Sequence, residues 1–227
     1  MTYESTITFT FDTICPWTYL AYTRLTRALS THRTTNPSSP ASFTLTLAPY
    51  QLYPDFGAPV PKREWYASTK YNDDAARMDM YEKHMTQLFA AEGLVFNFGE
   101  GDVGNTLHAH RILCWAQEER GSEVACKVLE GLYVGYFSEG KAPAAEETLA
   151  GALVGAGVPE GEARRVVGDE GLGVGEVRRR IGVQRADGVD GVPVVRVEGR
   201  KRDFTLTGAK EEGEYEKVLR QVERECV

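Results

Sequence analysis

The stretch Ile7-Thr8-Phe9-Thr10-Phe11-Asp12-Thr13-Ile14-Cys15-Pro16-Trp17-Thr18-Tyr19-Leu20 decides how the chain is read. Ile7, Phe9 and Phe11 alternate with threonines, the period of a strand with one buried face. A Cys-Pro step follows. Beyond it Ala21, Leu25, Ala28 and Leu29 recur at helical spacing. A helix is expected from Trp17 to about Leu29, with Thr18, Tyr22 and Arg27 facing outward. Cys15 then stands at a helix N-terminus, where unpaired N–H groups and the positive end of the dipole favour thiolate over thiol. A small buried cysteine that only packs is the alternative.

Working outward, Thr31 to Ala41 is rich in Thr, Ser, Asn and Pro and reads as a loop. Ser42 to Leu47 alternates strictly and predicts a second strand. Two strands joined through a helix make a parallel pair with a right-handed crossover. An irregular, rather apolar loop follows, with Pro49, Pro54 and Gly57. From Lys62 to Arg185 helical patterns dominate: Asp73–Ala91, Asn105–Gln117, Ser122–Phe137, Ala145–Ala156 and Gly161 to about Ile181. Asn105 and Ser122 are candidate N-caps. Met78, Met80, Met85 and Tyr81 are expected inside. Strand character returns over Val192–Val197 and near Phe204–Leu206, and a last helix is expected from about Glu211 to Arg224. The division expected is a discontinuous part, 1–61 with 186–227, and a helical insertion, 62–185.

The chain has 227 residues and a net charge of -7. That balance argues against nucleic acid and against an anionic membrane surface, both of which need a basic face. The start, MTYESTITFTF, lacks the basic and long apolar parts of a secretory signal. No run approaches the ~18 apolar residues of a membrane span, so a cytoplasmic location is expected. Cys15, Cys114, Cys126 and Cys226 form no Cys-x-x-Cys, and no Cys/His cluster is present. No metal site is expected, nor structural disulfides in a reducing compartment.

A second landmark lies far along the chain, where Gly191-Val192-Pro193 runs directly into a strand. A cis proline there would leave the preceding backbone free to pair with an incoming peptide. With the order β-α-β, helices, β-β-α, these features resemble the α/β thioredoxin fold with a large all-helical insertion, as in its DsbA-like branch. Phe11-Asp12-Thr13-Ile14-Cys15-Pro16-Trp17, Pro49-Tyr50-Gln51-Leu52, Asn105-Thr106-Leu107-His108-Ala109-His110-Arg111 and Gly208-Ala209-Lys210 together resemble the FrnE-like group. Kappa-class glutathione transferases and 2-hydroxychromene-2-carboxylate isomerases belong to the same branch. Where a dithiol oxidoreductase has its second cysteine this chain has Thr18. That matches the hydroxyl of the transferases and isomerases, while Cys15 keeps the thiol of the oxidoreductases.

The resemblance implies glutathione as cosubstrate and Cys15 with Thr18 as the catalytic pair. Pro16, Trp17, Val192, Pro193, Gly208, Ala209 and Lys210 would contact glutathione, its γ-glutamyl carboxylate resting on the amides at Gly208–Lys210. The leading expectation is that bound glutathione attacks a small electrophile, in transfer or addition–elimination isomerisation. The alternative is monothiol disulfide exchange through Cys15, with glutathione resolving the mixed disulfide. A non-catalytic binding protein is the third reading. Asp12, Tyr50, Gln51, Tyr53, Asn105 and His110 are candidate pocket residues. Asp12 either shapes the cysteine turn or is simply solvated; Asn105 either caps its helix alone or also faces the site; His110 is either a polar partner of Arg111 at the domain interface or a structural histidine. Trp17 either walls the pocket or packs in the core. A homodimer is expected by resemblance.

Overall fold

A computed structural model describes residues 2–226. Strand β1 (Tyr3–Phe11) leads into helix α1 (Pro16–Thr35) and strand β2 (Ala41–Pro49). A two-residue strand β3 (Val60–Pro61) precedes α2 (Lys62–Tyr71) and α3 (Ala75–Ala91), and pairs with β4 (Asp102–Val103). Helices α4 (Leu107–Arg120), α5 (Ser122–Phe137), α6 (Glu146–Gly155), α7 (Glu160–Gly168) and α8 (Val174–Ala186) follow. The chain returns through β5 (Val194–Val197), β6 (Phe204–Thr207) and α9 (Glu212–Glu225). The main sheet has the order β2-β1-β5-β6. β1 and β2 are parallel, with Phe9 opposite Leu47 and Phe11 opposite Pro49. β5 is antiparallel to β1, with Thr10 opposite Val194. This register brings the turn after Phe11, the loop after Pro49 and the approach to Val194 to one edge.

Several elements differ from the sequence reading, each for a physical reason. α1 continues to Thr35 through a stretch read as loop. Its threonines bend their hydroxyls back onto the preceding turn, Thr34 to Ser30 O at 3.1 Å and Thr35 to Thr31 O at 2.7 Å. His32 is buried edge-on against Phe43. Thr18 and Tyr22, expected outward, are buried, because both the sheet and α5 cover α1. The pattern read as one helix from Gly161 breaks into α7 and α8, where Gly173 turns the backbone at φ +73°. Gly121, not Ser122, is the residue that caps α5. Met78 and Met85 are buried as expected, but Met80 is 71% exposed; it lies two positions from Met78, on the other side of the helix.

One apolar core runs through sheet and helices, from Ile7 and Phe9 through Tyr133 and Phe137 to Val166. Each such fully buried side chain contributes roughly 1.5–3 kcal/mol. Tyr19 stacks on Tyr133 with centroids 4.6 Å apart, which seats α5 on the first turns of α1. Arg24 of α1 and Glu92, just past α3, form a nearly buried ion pair at 2.5 Å.

Candidate active site

The turn from Asp12 to Cys15 closes by a Cys15 N–H···O=C Asp12 bond of 3.2 Å, and α1 begins at once. Proline at the first helical position needs no amide partner there. Cys15 is 5% exposed. Its Sγ lies 3.8 Å from the Val192 carbonyl oxygen, and the Val192–Pro193 bond is cis. The two landmarks 177 positions apart thus meet at one sulfur. Thr18 is fully buried. Its Oγ1 lies 2.6 Å from Cys15 O and 2.8 Å from Asp12 O. A hydroxyl has one proton, shared between these carbonyls; Thr18 therefore braces the turn.

The electrostatics at the sulfur overturn the expectation of a ready thiolate. Burial pushes the Cys15 thiol up to about 12. The Thr18 amide acts against that, Asp12 adds to it, and the Trp17 amide and Thr18 hydroxyl favour the thiolate. Desolvation outweighs what the helix start offers the thiolate. In the ligand-free protein Cys15 is a protonated, masked thiol.

Asp12 is not solvated; it is a carboxylate that shapes the cysteine turn. It is fully buried, accepts the Leu52 N–H at 2.7 Å through Oδ2, and faces His110 Nε2 at 3.3 Å through Oδ1. His110, on α4, also packs against the Phe11 ring. The carboxylate therefore ties the cysteine turn to the loop after β2 and to the helical region. Arg111 does not pair with His110; its guanidinium holds the carbonyls of Val166 and Val167 at the end of α7. Thr106, not Asn105, is the N-cap of α4; Asn105 sits one residue earlier and ties the loop to it, its Oδ1 accepting from Leu107 N and Gln51 Nε2 and its Nδ2 donating to Pro54 O. Gln51 and Tyr50 are buried in that loop, while Tyr53 packs on Phe56 and Trp65.

Trp17 is 40% exposed, so it is no core residue and stands beside the buried Cys15 and Pro16 as an open aromatic face. The expected anion cradle at Gly208–Lys210 is otherwise engaged. Gly208 N–H donates to Pro193 O at 2.9 Å and Lys210 N–H to the Tyr215 hydroxyl at 3.3 Å. α9 starts only at Glu212, and Glu211, Glu212 and Glu214 crowd that start with negative charge. The Gly208 amide thus shapes the Pro193 loop, and the Lys210 amide the approach to α9.

Sequence reasoning missed the phenols. Tyr133 and Tyr136, both on α5, are fully buried, and their hydroxyls lack a partner among the described residues, as do Thr13 Oγ1 and His110 Nδ1. Burial raises both phenols well above their ordinary range. Unpaired buried polar atoms are rare in native proteins; the one other such atom among the described residues, His32 Nε2, lies toward the far end of α1. In sequence Leu132-Tyr133-Val134-Gly135-Tyr136-Phe137 reads only as an apolar helix face. Cys114, Cys126 and Cys226 lie elsewhere: Cys114 packs with Val177 and Ile181, the Cys126 carbonyl meets the Tyr22 hydroxyl, and Cys226 bonds Val222 O. All four cysteines are free thiols.

Comparison with known proteins follows the same lines. The family description "DSBA-like thioredoxin domain" matches residues 6–220. No curated protein matches the chain. Among solved structures, a probable DsbA oxidoreductase from Streptomyces coelicolor superposes with a TM-score of 0.79 at 25% identity, over 96% of this chain and 89% of that one. A 2-hydroxychromene-2-carboxylate isomerase gives 0.63 at 15% identity, over 96% of each chain. The cytosolic disulfide reductase DsbM from Pseudomonas aeruginosa, solved with GSH, gives 0.62 at 17% identity, over 96% of this chain and 99% of that one.

Proposed function

The chain belongs to the DsbA-like thioredoxin-domain family, and on that footing we propose that it is a monothiol exchange enzyme in which Cys15 is the reacting sulfur and glutathione the co-thiol. The family includes disulfide oxidoreductases and isomerases. The observation that carries the choice between them is the placement of Cys15 Sγ, 3.8 Å from the Val192 carbonyl oxygen that precedes cis-Pro193. The Thr18 hydroxyl, the other candidate catalytic group, is directed at the Asp12 and Cys15 carbonyls. The protein's own sulfur, and not a hydroxyl free to activate a second one, therefore stands at the backbone open to peptide pairing.

The reaction runs in two balanced steps. Cys15 loses its proton, and its thiolate attacks the glutathionyl sulfur of a mixed disulfide R–S–S–G. A Cys15–S–S–G bond forms and R–S⁻ leaves, taking up a proton. The thiolate of a second glutathione then attacks the glutathionyl sulfur of this adduct. Glutathione disulfide leaves and Cys15 is restored. With Thr18 in place of a second cysteine, no internal thiol resolves the adduct, so an external one must. The backbone at Val192, beside Cys15 Sγ, supplies the edge along which the glutathionyl peptide pairs. Burial of the sulfur keeps it from reacting until such a ligand seats. Glutathione comes to this chain by proposal, since a likeness at 17% identity carries the fold alone.

The second reading keeps Thr18 as its warrant: bound glutathione is the nucleophile toward a small electrophile, and Cys15 only lines its site. Mass spectrometry after incubation with glutathione disulfide separates the two. The proposal expects one glutathionyl adduct on Cys15, released by glutathione, and exchange activity lost at least ~10³-fold in Cys15→Ser. Full activity in Cys15→Ser would overturn it in favour of the second reading.

A further inference from the structure

Away from Cys15 a cleft of about 590 Å³ opens between the loop after β2, the start of α4 and α8. Neither Cys15 nor Pro193 lines it, though two of the candidate pocket residues, Gln51 and Asn105, do. Its size is that of a small-molecule site. Two arginines of α8, Arg178 and Arg185, line it. They are seven residues apart, so they lie on one face two turns apart, roughly 10 Å along the axis. Their neighbours Arg179 and Arg180 are both paired with Glu176. Among the described residues, Arg178 and Arg185 have no carboxylate partner, and Arg185 makes only a 3.3 Å bond to Gln51 O and a contact over the Tyr50 ring.

On the helix face between the two arginines stand Ile181 and Gly182, three and four residues on from Arg178; Leu107 lines the same cleft, with Gln51 and Asn105 among its polar walls, and a Cβ added at Gly182 would meet nothing within 4 Å. His108 also lines the cleft. Its Nδ1 accepts from Arg111 Nε at 3.4 Å, so Nε2 carries the ring hydrogen and is a donor; burial and the nearby Arg111 charge lower its pKa. The lining carboxylate, Asp55, is exposed and screened by water.

We propose that this cleft is a second binding site, one that takes a small elongated dicarboxylate, with one carboxylate on Arg178, the other on Arg185, and an uncharged chain lying over Gly182 and Ile181. Arginine presents two parallel donors that match a carboxylate, and two such forks set apart by an apolar floor select for a charge at each end. The site stands independently of the thiol chemistry proposed for Cys15.

Calorimetry on the full chain tests this with adipate as probe, and with hexanoate and inorganic phosphate as comparisons. Adipate is expected to bind one site with a Kd of ~1 mM. Arg178→Gln and Arg185→Gln, both at exposed positions, are each expected to weaken it about tenfold. Hexanoate is expected to bind about tenfold more weakly than adipate for the same reason. Gly182→Leu keeps both charges, favours the helix and fills the gap, so it is expected to abolish binding. No saturable heat with adipate, an affinity unchanged in both arginine variants, or phosphate binding as tightly as adipate would each overturn the proposal.

Discussion

Two helices of this protein start at the same edge of one sheet and treat the charge of that start in opposite ways. α1 begins with Cys15-Pro16-Trp17 and carries no acidic residue in its first turn. α9 begins with Glu211, Glu212 and Glu214, and Arg24 and Arg27 of α1 reach across to Glu211 and Glu212. The helix dipole is common to both, so it cannot by itself make an anion site. In α9 the protein's own carboxylates occupy the positive end. In α1 the end is left to a sulfur, and the burial of that sulfur cancels what the dipole offers. An anion site requires a helix start free of acidic side chains and also open to ligand.

The sharpest way to break this contrast is to titrate Cys15. With its thiol pushed up to about 12, its alkylation by iodoacetamide at pH 7 should be roughly 10³-fold slower than that of an unperturbed thiol near 8.5. The rate should keep rising to about pH 12. A plateau near pH 7 would mean that the amides of α1 win after all. The same shift has a stability consequence. The folded thiol holds its proton above the pH at which the unfolded one loses it, so its contribution is complete below pH ~8.5 and is lost as pH rises from there toward 12.

Next in size is the anchor beneath the turn. Asp12→Ala removes the acceptor of Leu52 N–H and the partner of His110, and should cost about 3 kcal/mol in urea unfolding. A cost under ~0.5 kcal/mol, the level of a surface change, would show that the turn holds without it. Thr18→Val keeps the shape but strips two carbonyls of their donor. It should cost roughly 1–2 kcal/mol and raise the Cys15 thiol further, since the hydroxyl favours the thiolate. Smallest is Glu212→Gln, which relieves nothing at Cys15 and should lower stability by about 0.5 kcal/mol through the α9 dipole and the Arg27 contact. Measured side by side, the α9 change should leave Cys15 alkylation untouched and the Thr18 change should slow it.

Much of the architecture was legible in the residues. Alternation in Ile7-Phe9-Phe11, the Cys-Pro step and Val192-Pro193-Val194 each have a local period or a local constraint, and these mark strands and helix starts wherever the rest of the chain lies. The misreadings came where tertiary contacts overrule local preference. Threonine-rich Ser30–Thr35 stays helical with His32 buried beside Phe43. Lys62, on which the sequence is silent, is buried with its ammonium on Tyr136 O and over the Tyr136 ring, and burial lowers it to about 8. The partners of Asp12 lie 40 and 98 positions away, so no window of sequence could reveal that this carboxylate is an anchor.

The sequence by itself determined the βαβ and ββα halves, the helical stretch between them and the sulfur at the start of α1, because these follow from periodicity and from residues that restrict the backbone. Only the tertiary structure decided that the sulfur is masked, that Thr18 braces the turn, that the Gly208 and Lys210 amides are engaged within the chain and that the Tyr133 and Tyr136 hydroxyls are buried without a partner among the described residues. Desolvation and hydrogen-bond partnership depend on which distant groups close over an atom, and that is a property of the packed chain.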